Sequence, residues 1–280
     1  MSESIINEQD FEKFREYFYR KTGIQFEQTK RYFVDKRLEE RIEATNSGSF
    51  RNYFTMLRFE ASGEELQHLT NLMTVNETYF FREEYQFQCL VKSILPELTK
   101  SKRDRKPIRV WVIPSSSGEE SYSIAIYLLE YWNEIDIWDI EIISSDIDTK
   151  ILRMAREGVY SQRSVQHLPT KILNKYFTAK SSEYQICESL RQAVEFTRVN
   201  LSDRADTRAY RDFDVIFCRN LLIYFDDVSR KAAAETFYDA IKPGGFVCLG
   251  HSESMSRVSS LYKVRKFPEA IVYQKPLEAR

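Results

Sequence analysis

Cysteine is scarce in this chain of 280 residues, and the four present, Cys89, Cys187, Cys218 and Cys248, stand far apart with no C-x-x-C pair. That spacing signals neither a disulfide framework nor a zinc site, and it fits a reducing compartment. Histidine is scarcer still: His68, His167 and His251 include no H-E-x-x-H, so a metal centre has little to build on and none is expected. No apolar run is long enough to span a bilayer, which argues against membrane insertion. The first residues, MSESIINEQDFEKF, are polar and acidic and lack the basic and apolar regions of an export signal, so a cytoplasmic protein is expected. Positive charge is not in surplus either. Lys and Arg number 41 against 42 Asp and Glu, a formal net charge of −1, and a general nucleic-acid binder would carry a net basic face. The length suits one large or two ordinary domains with ample core.

What is present is organised around Arg109 to Ala125, RVWVIPSSSGEESYSIA. It reads as a short buried strand from Val110 to Ile113, a turn of small polar residues ending at Gly118, and a helix opening on Glu119 and Glu120. A strand leading through such a turn into a helix N-terminus presents a ligand site at the carboxyl end of the strand. The turn is not G-x-x-x-x-G-K-[ST], and it has one glycine where a dinucleotide fingerprint has three, so phosphate cradling is not indicated. Two carboxylates at a helix start are either favourable first-turn residues or a receptor for a cationic ligand.

Before this stretch, residues 1–73 read as an all-helical domain. Phe11, Phe14 and Phe18 share one face of a first helix that Gly23 ends. A second helix turns Phe33 or Val34, Leu38 and Ile42 inward and shows Lys30, Arg31, Lys36, Arg37 and Arg41 on its other face, either as a solvated surface or as a dock for an acidic partner helix. A third helix holds Phe50, Phe54 and Leu57, and a fourth opens on a capping box from Ser62 to Glu65. Residues 74–84, with TVNETYFFR, form an aromatic linker that is expected to line something. An amphipathic helix stopping near Pro96 follows, and the charged run from Lys100 to Lys106 reads as a solvated loop.

From Ile108 onward, buried strands alternate with helices, the mark of a parallel sheet covered on both faces. IEIISSDID gives a second strand ending in Asp146, the position from which such sheets bond a ribose, and Asp148 is expected to cap the next helix, which Gly158 ends. Residues 159–202 interrupt the pattern with a helix near Leu168 to Phe177 and two strand-like runs, Tyr184 to Glu188 and Val194 to Val199, read together as a small antiparallel excursion. Parallel order resumes with Val215 to Cys218, a helix from about Ser229 to Ile241, the turn Lys242 to Gly245, and a strand from Phe246 to Leu249 that ends in His251, Ser252 and Glu253. Leu261 to Gln274 should supply a closing pair of strands.

Three separated stretches, NETYFFR at 76–82, SSSGEESYSIA at 115–125 and FCRNLLIYF at 217–225, stand in this order behind the helical domain. Together they resemble the chemotaxis receptor methyltransferase (CheR) family, and SDID at 145–148 and GHSES at 250–254 are similar to its pattern as well. The resemblance implies a Rossmann-like α/β S-adenosylmethionine-dependent methyltransferase domain over 85–280, with a small antiparallel β-subdomain at 159–202, behind a small all-α N-terminal domain. It implies methyl transfer from S-adenosylmethionine to glutamate side chains on the cytoplasmic helices of chemoreceptors. By the same resemblance Asn76, Thr78, Arg82, Glu120, Asp146, Asn200, Leu201, Cys218, Arg219 and Asn220 match cofactor-contacting positions. Tyr224 matches the tyrosine facing the transfer centre and would orient the acceptor, Arg82 would hold a carboxylate, that of the cofactor, and the β-subdomain matches one that in some members docks a receptor's C-terminal peptide. Lys30, Arg31, Lys36, Arg37 and Arg41 would face the acidic receptor helix. Neither a base nor a metal is demanded, because a glutamate carboxylate is already ionised at neutral pH. The chain departs from the family at Val112, Ile113 and Pro114, where small residues are usual. That departure keeps two alternatives open: an inactive receptor-binding scaffold, and a methyltransferase for another acceptor.

Overall fold

The structure, a computed structural model, describes residues 6–101 and 106–277. Most of the charged run from Lys100 to Lys106 therefore lies outside the described residues. Helix α1 (Glu8–Thr22) begins where Asn7 accepts the Asp10 N–H and ends at Gly23, with Phe11, Phe14 and Phe18 buried. Helix α2 (Arg31–Ala44) buries Val34, Leu38 and Ile42. Helices α3 (Phe50–Phe59) and α4 (Glu64–Met73) complete a compact helical core. The capping box expected at Ser62 and Glu65 does not form. Glu60 accepts the Glu65 N–H at 2.9 Å, while the Glu65 carboxylate turns inward to Arg41 and to the Tyr53 hydroxyl. A buried ion pair with a bidentate arginine outweighs a solvent-exposed cap bond.

The linker leads into α5 (Tyr85–Cys89), one wide π turn at 90–94, and α6 (Leu95–Ser101), so the helix does not stop near Pro96. The Leu95 N–H reaches back to the Leu90 carbonyl. This widening relieves the clash a proline ring makes with the preceding turn, and Pro96 then opens the next helical segment, where a missing N–H is tolerated.

Strand β1 (Ile108–Val112) is followed by α7 (Glu119–Tyr131), β2 (Ile140–Asp146) and α8 (Thr149–Glu157). Asp148 caps α8 and Gly158 ends it, as the sequence indicates. Then come β3 (Val159–Ser161), α9 (Gln162–Val165), α10 (Thr170–Tyr176), β4 (Phe177–Lys180), β5 (Glu183–Ile186), α11 (Glu188–Gln192) and β6 (Val194–Arg198). The chain closes with α12 (Arg204–Thr207), β7 (Phe213–Cys218), α13 (Asp227–Ala240), β8 (Ile241–Leu249), β9 (Lys263–Lys266) and β10 (Ile271–Gln274).

Among the described residues seven strands form the main sheet, in the order β6-β2-β1-β7-β8-β10-β9. The first five are mutually parallel and β10 is antiparallel to both its neighbours. Two expectations are corrected here. The run from Val194 is not part of the antiparallel excursion, because β6 pairs parallel with β2, whereas the small sheet is β3-β5-β4. Short alternating runs look alike in either setting, and only the partner separates them. Lys242 to Gly245 is not a turn but the start of β8, its irregularity taken up by a shifted register opposite Phe213 to Val215. A bulge near a strand start tolerates both proline and glycine.

β2 and β7 flank β1 on opposite sides, so the order of the parallel strands reverses at β1, and the carboxyl ends of these strands are where such sheets place a ligand. The helical domain closes over that edge. Gln67 Nε2 donates to the Ile147 carbonyl at 2.8 Å, Thr149 N–H donates to Asn71 Oδ1 at 3.0 Å, and Thr74 donates to Asp148 at 2.7 Å. At the other end Tyr19 donates to Asp226 at 2.9 Å, and Gly23 lies so close to the loop after β6 that a Cβ there would meet Ser202 Oγ at 2.1 Å.

Candidate active site

Each segment at the carboxyl edge delivers one part of a polar cluster. The turn after β1 is anchored to β2, since the Ser115 N–H donates to the Ser145 carbonyl at 2.6 Å and the Ser116 N–H to Asp146 Oδ2 at 2.8 Å. Val112 and Ile113, the bulky departures, are buried in the cores on either face of the sheet. Gly118 takes φ +92°, and a Cβ there would press on Ala155, Tyr122 and Phe196 at 3.1 to 3.2 Å, so helix packing demands this glycine.

The two helix-start carboxylates have different surroundings. Glu119 accepts the hydroxyls of Ser117 and Ser164, both at 2.6 Å, and is a structural residue. Glu120 lies 3.2 Å from Arg219, whose side chain is 1 % exposed, and its Oε1 has no hydrogen-bond partner among the described residues. Arg219 also pairs with Glu83 at 3.4 Å and donates to the Arg82 carbonyl, joining linker, β7 and α7. Burial pushes the Glu120 carboxyl up from its ordinary value, against the pull of Arg219. Arg82 itself folds back to donate to the Glu77 carbonyl at 2.8 Å.

Asp146 is buried, with Oδ1 accepting the Asp148 N–H and Oδ2 that of Ser116. Asn76 reaches the same turn by donating to Asp148 at 3.0 Å. Burial raises the Asp146 carboxyl to about 6. Because this lies above the ordinary aspartate value, ionised Asp146 opposes folding at neutral pH, and the opposition disappears as pH falls from about 6 towards that value. A ligand that donates to the carboxylate shows the reverse trend. If Asp146 takes the ribose hydroxyls of the cofactor, as the family resemblance implies, affinity for S-adenosylhomocysteine, the product of methyl transfer, should weaken about fourfold between pH 7.5 and 5.5, while the Asp146 contribution to stability rises. Calorimetric titration across that range checks the sign, and stronger binding at pH 5.5 would remove Asp146 from the contact set.

Other expected positions are spread more widely. Thr78 is half-buried on the linker. Asn200 spends its side chain on the Lys21 carbonyl and the Ser202 N–H, and Leu201 is buried in the core. Cys218 is buried, and burial holds its thiol protonated. Asn220 takes φ +57° and leads through a tight turn to Tyr224, which is 39 % exposed. Burial pushes the Tyr224 phenol's pKa up from its ordinary value, Glu77 adds to that and Arg82 opposes it. The single basic face expected of α2 is not what the structure presents. Arg31 pairs with Glu8 and Asp35, Arg37 donates to the Leu72 carbonyl at 2.6 Å and lies 3.3 Å from the Phe33 ring centre, and Arg41 grips Glu65. Lys30 and Lys36 remain exposed. Charged side chains beside carbonyls and carboxylates of their own domain are drawn inward.

Residues 76–271 match the sequence model described as CheR methyltransferase, SAM binding domain, and residues 9–74 match the CheR methyltransferase all-alpha domain. The chain belongs to the CheR methyltransferase family. Chemotaxis protein methyltransferase 2 of Vibrio cholerae serotype O1 is 55 % identical over 277 residues, covering 99 % of this chain and 96 % of that one. Chemotaxis protein methyltransferase 2 of Pseudomonas aeruginosa is 36 % identical and covers 91 % of this chain and 90 % of its own. The chemotaxis protein methyltransferase of Salmonella typhimurium is 32 % identical, with coverage of 93 % and 88 %.

As a CheR-family protein the chain is a methyltransferase that uses S-adenosylmethionine. The residues at the carboxyl edge fit that cofactor. Ser115 Oγ, Ser116 Oγ, Glu120 Oε1 and Arg219 Nε are buried with no hydrogen-bond partner among the described residues. Such clustering of unpaired polar atoms fits a polar ligand that brings both donors and acceptors. Sequence reading left Glu83 and Glu253 without roles, although Glu83 pairs with Arg219 and Glu253 lies in the GHSES stretch.

Proposed function

We propose that this CheR-family enzyme methylates glutamate side chains on the cytoplasmic helices of chemoreceptors, giving methyl esters, and that it works in the cytoplasm. The observation that carries the reading is the full-length likeness to proteins named chemotaxis protein methyltransferases. Among the described residues no helix is long and apolar enough to cross a membrane. S-adenosylmethionine supplies an activated methyl group on a sulfonium. In this proposal Glu120 Oε1 receives the cofactor's ammonium, Arg82 its carboxylate and Asp146 its ribose hydroxyls, with Asn76 and Thr78 closing the linker side. Asn200 and Leu201 border the adenine, and Cys218, Arg219 and Asn220 form the wall beside it. Tyr224 orients the acceptor carboxylate, which needs no base because it is already ionised. Rate comes from alignment in a site dry enough to strip water from the nucleophile.

Lys30 and Lys36, together with whatever charge Arg31, Arg37 and Arg41 still present, would meet the acidic receptor helix. The double change Lys30→Glu with Lys36→Glu should raise the acceptor KM a few-fold, about three- to tenfold at low salt and less at high salt. An unchanged KM at low salt would assign both lysines to solvent. The small sheet offers β4 as an edge strand that could pair with a receptor tail peptide. One experiment tests the reading: incubation with S-adenosylmethionine and a receptor cytoplasmic fragment, with and without its tail, followed by mass spectrometry for base-labile glutamate esters. Esters on both fragments at equal rates would dismiss the tail. No esters on either, from protein that still binds S-adenosylhomocysteine, would point to another acceptor, and loss of that binding too would favour a scaffold.

A further inference from the structure

We infer that Glu253 is a positioning residue for methyl transfer, holding in place the loop that presents Tyr224. The inference rests on the reading that Tyr224 faces the transfer centre. Glu253 lies in the turn after β8 and reaches across to the loop after β7. Its Oε2 accepts the N–H groups of Asn220 at 2.8 Å and Gly250 at 2.9 Å, and its Oε1 accepts that of Leu222 at 2.8 Å. One carboxylate thus gathers three backbone donors from the exits of two neighbouring strands, and charge-assisted bonds of this kind are among the stronger ones in proteins.

Those bonds hold a sharply turned backbone. Asn220 has φ +57°, a left-handed conformation that costs most residues with a side chain and that asparagine accepts more readily than most, so the Glu253 bonds lock a turn to which this residue is suited. Directly beyond the clamped Leu222 N–H the chain makes a single tight turn and delivers Tyr224. Gly250 completes the fit, since a Cβ there would lie 2.8 Å from Glu253 Oε2 and 3.0 Å from Asn220 N. The next N–H, that of His251, donates to Glu83 at 3.2 Å, and Glu83 is the carboxylate paired with Arg219. The Gly250-to-Glu253 turn therefore sets the distance between the Arg82–Glu83 linker and the Tyr224 loop. Glu253 works through other residues, and no contact with the reacting groups is needed.

The test is Glu253→Gln in the full chain, with Glu253→Ala as the stronger disruption and Ser252→Ala, an exposed neighbour on the same turn, as control. Glutamine keeps one acceptor oxygen and turns an NH2 group towards an N–H that has lost its partner. Its kcat should fall about tenfold, because small misplacements of a reacting group carry costs of that order, while affinity for S-adenosylhomocysteine stays within about twofold of the parent and Ser252→Ala is unchanged. Glu253→Ala should fall further in kcat. The Tyr224 ring signal, observed by NMR with ring-labelled tyrosine and assigned through Tyr224→Phe, should shift in Glu253→Gln and not in Ser252→Ala. A folded Glu253→Gln protein with parental kcat and an unmoved Tyr224 signal would overturn the inference. So would losses of kcat and product affinity in equal proportion, the mark of a merely structural role. A parent inactive on receptor defeats the proposed function instead, and the Tyr224 signal still decides the role of Glu253.

Discussion

Replacing Arg219 by methionine is expected to lower the unfolding midpoint by roughly 10 °C and to abolish binding of S-adenosylhomocysteine. The guanidinium is 1 % exposed, and it lies between Glu120 and Glu83, each 15 % exposed, while also donating to the Arg82 carbonyl. Removing the cation leaves two carboxylates in a space that water reaches poorly. Breaking a buried pair in this way costs about 3–5 kcal/mol, more than a surface ion pair ever returns. The pH dependence separates charge from packing. Glu120 is already pushed up by burial with Arg219 pulling it down, so without Arg219 its carboxyl must rise further. A carboxyl raised in the folded state penalises folding when ionised, and protonation lifts the penalty. The stability gap between variant and parent should therefore be widest near pH 8 and narrow towards pH 5. A gap that stays constant over that range would mean that Arg219 acts through its seat over the Phe87 ring, 5.4 Å away, and not through its charge.

The same cluster marks where the sequence is legible and where it stops being so. Strand, turn and helix around Gly118 could be read because each signal is local: an apolar run, small polar residues, carboxylates at a helix start. Spacing alone does not separate the two carboxylates, because Ser164, which with Ser117 satisfies Glu119, stands 45 residues away, and only the family resemblance singles out Glu120. The α2 arginines failed for the same reason. Spacing places Arg31, Arg37 and Arg41 on a helix face, but Glu8, the Leu72 carbonyl and Glu65 arrive from other helices and claim them. Strand β6 illustrates the limit in a sheet, since its alternation declares a strand without declaring the partner β2. Asn200, matched by motif to the adenine side, has its side chain on the Lys21 carbonyl, a contact no spacing announces, so the helical domain and the loop after β6 meet at this residue. Domain closure over the carboxyl edge is thus part of how the site is built.

Tyr224→Phe is expected to reduce kcat about 10- to 100-fold and to leave the affinity for S-adenosylhomocysteine within about twofold. The substitution removes one oxygen and little else. The backbone of Tyr224 is set by its own tight turn and by the Gln25 N–H, which donates to the Tyr224 carbonyl at 3.4 Å, so the ring keeps its place. Burial pushes the phenol's pKa up from its ordinary value, Glu77 adds to this and Arg82 opposes it, so the hydroxyl remains a protonated donor throughout the neutral range. At 39 % exposure it is also reachable by an incoming side chain. A hydrogen bond to a charged acceptor contributes about 1.5–3 kcal/mol, which corresponds to the stated loss if the bond is at full strength only when the carboxylate is aligned for transfer. The loss should be the same at pH 7 and pH 8.5, because no titration of the phenol intervenes. Single-turnover kinetics at saturating cofactor would measure it directly. Parental rates would show that the ring alone matters, and orientation of the acceptor would then fall to Arg82, whose guanidinium influences both Tyr224 and Glu120.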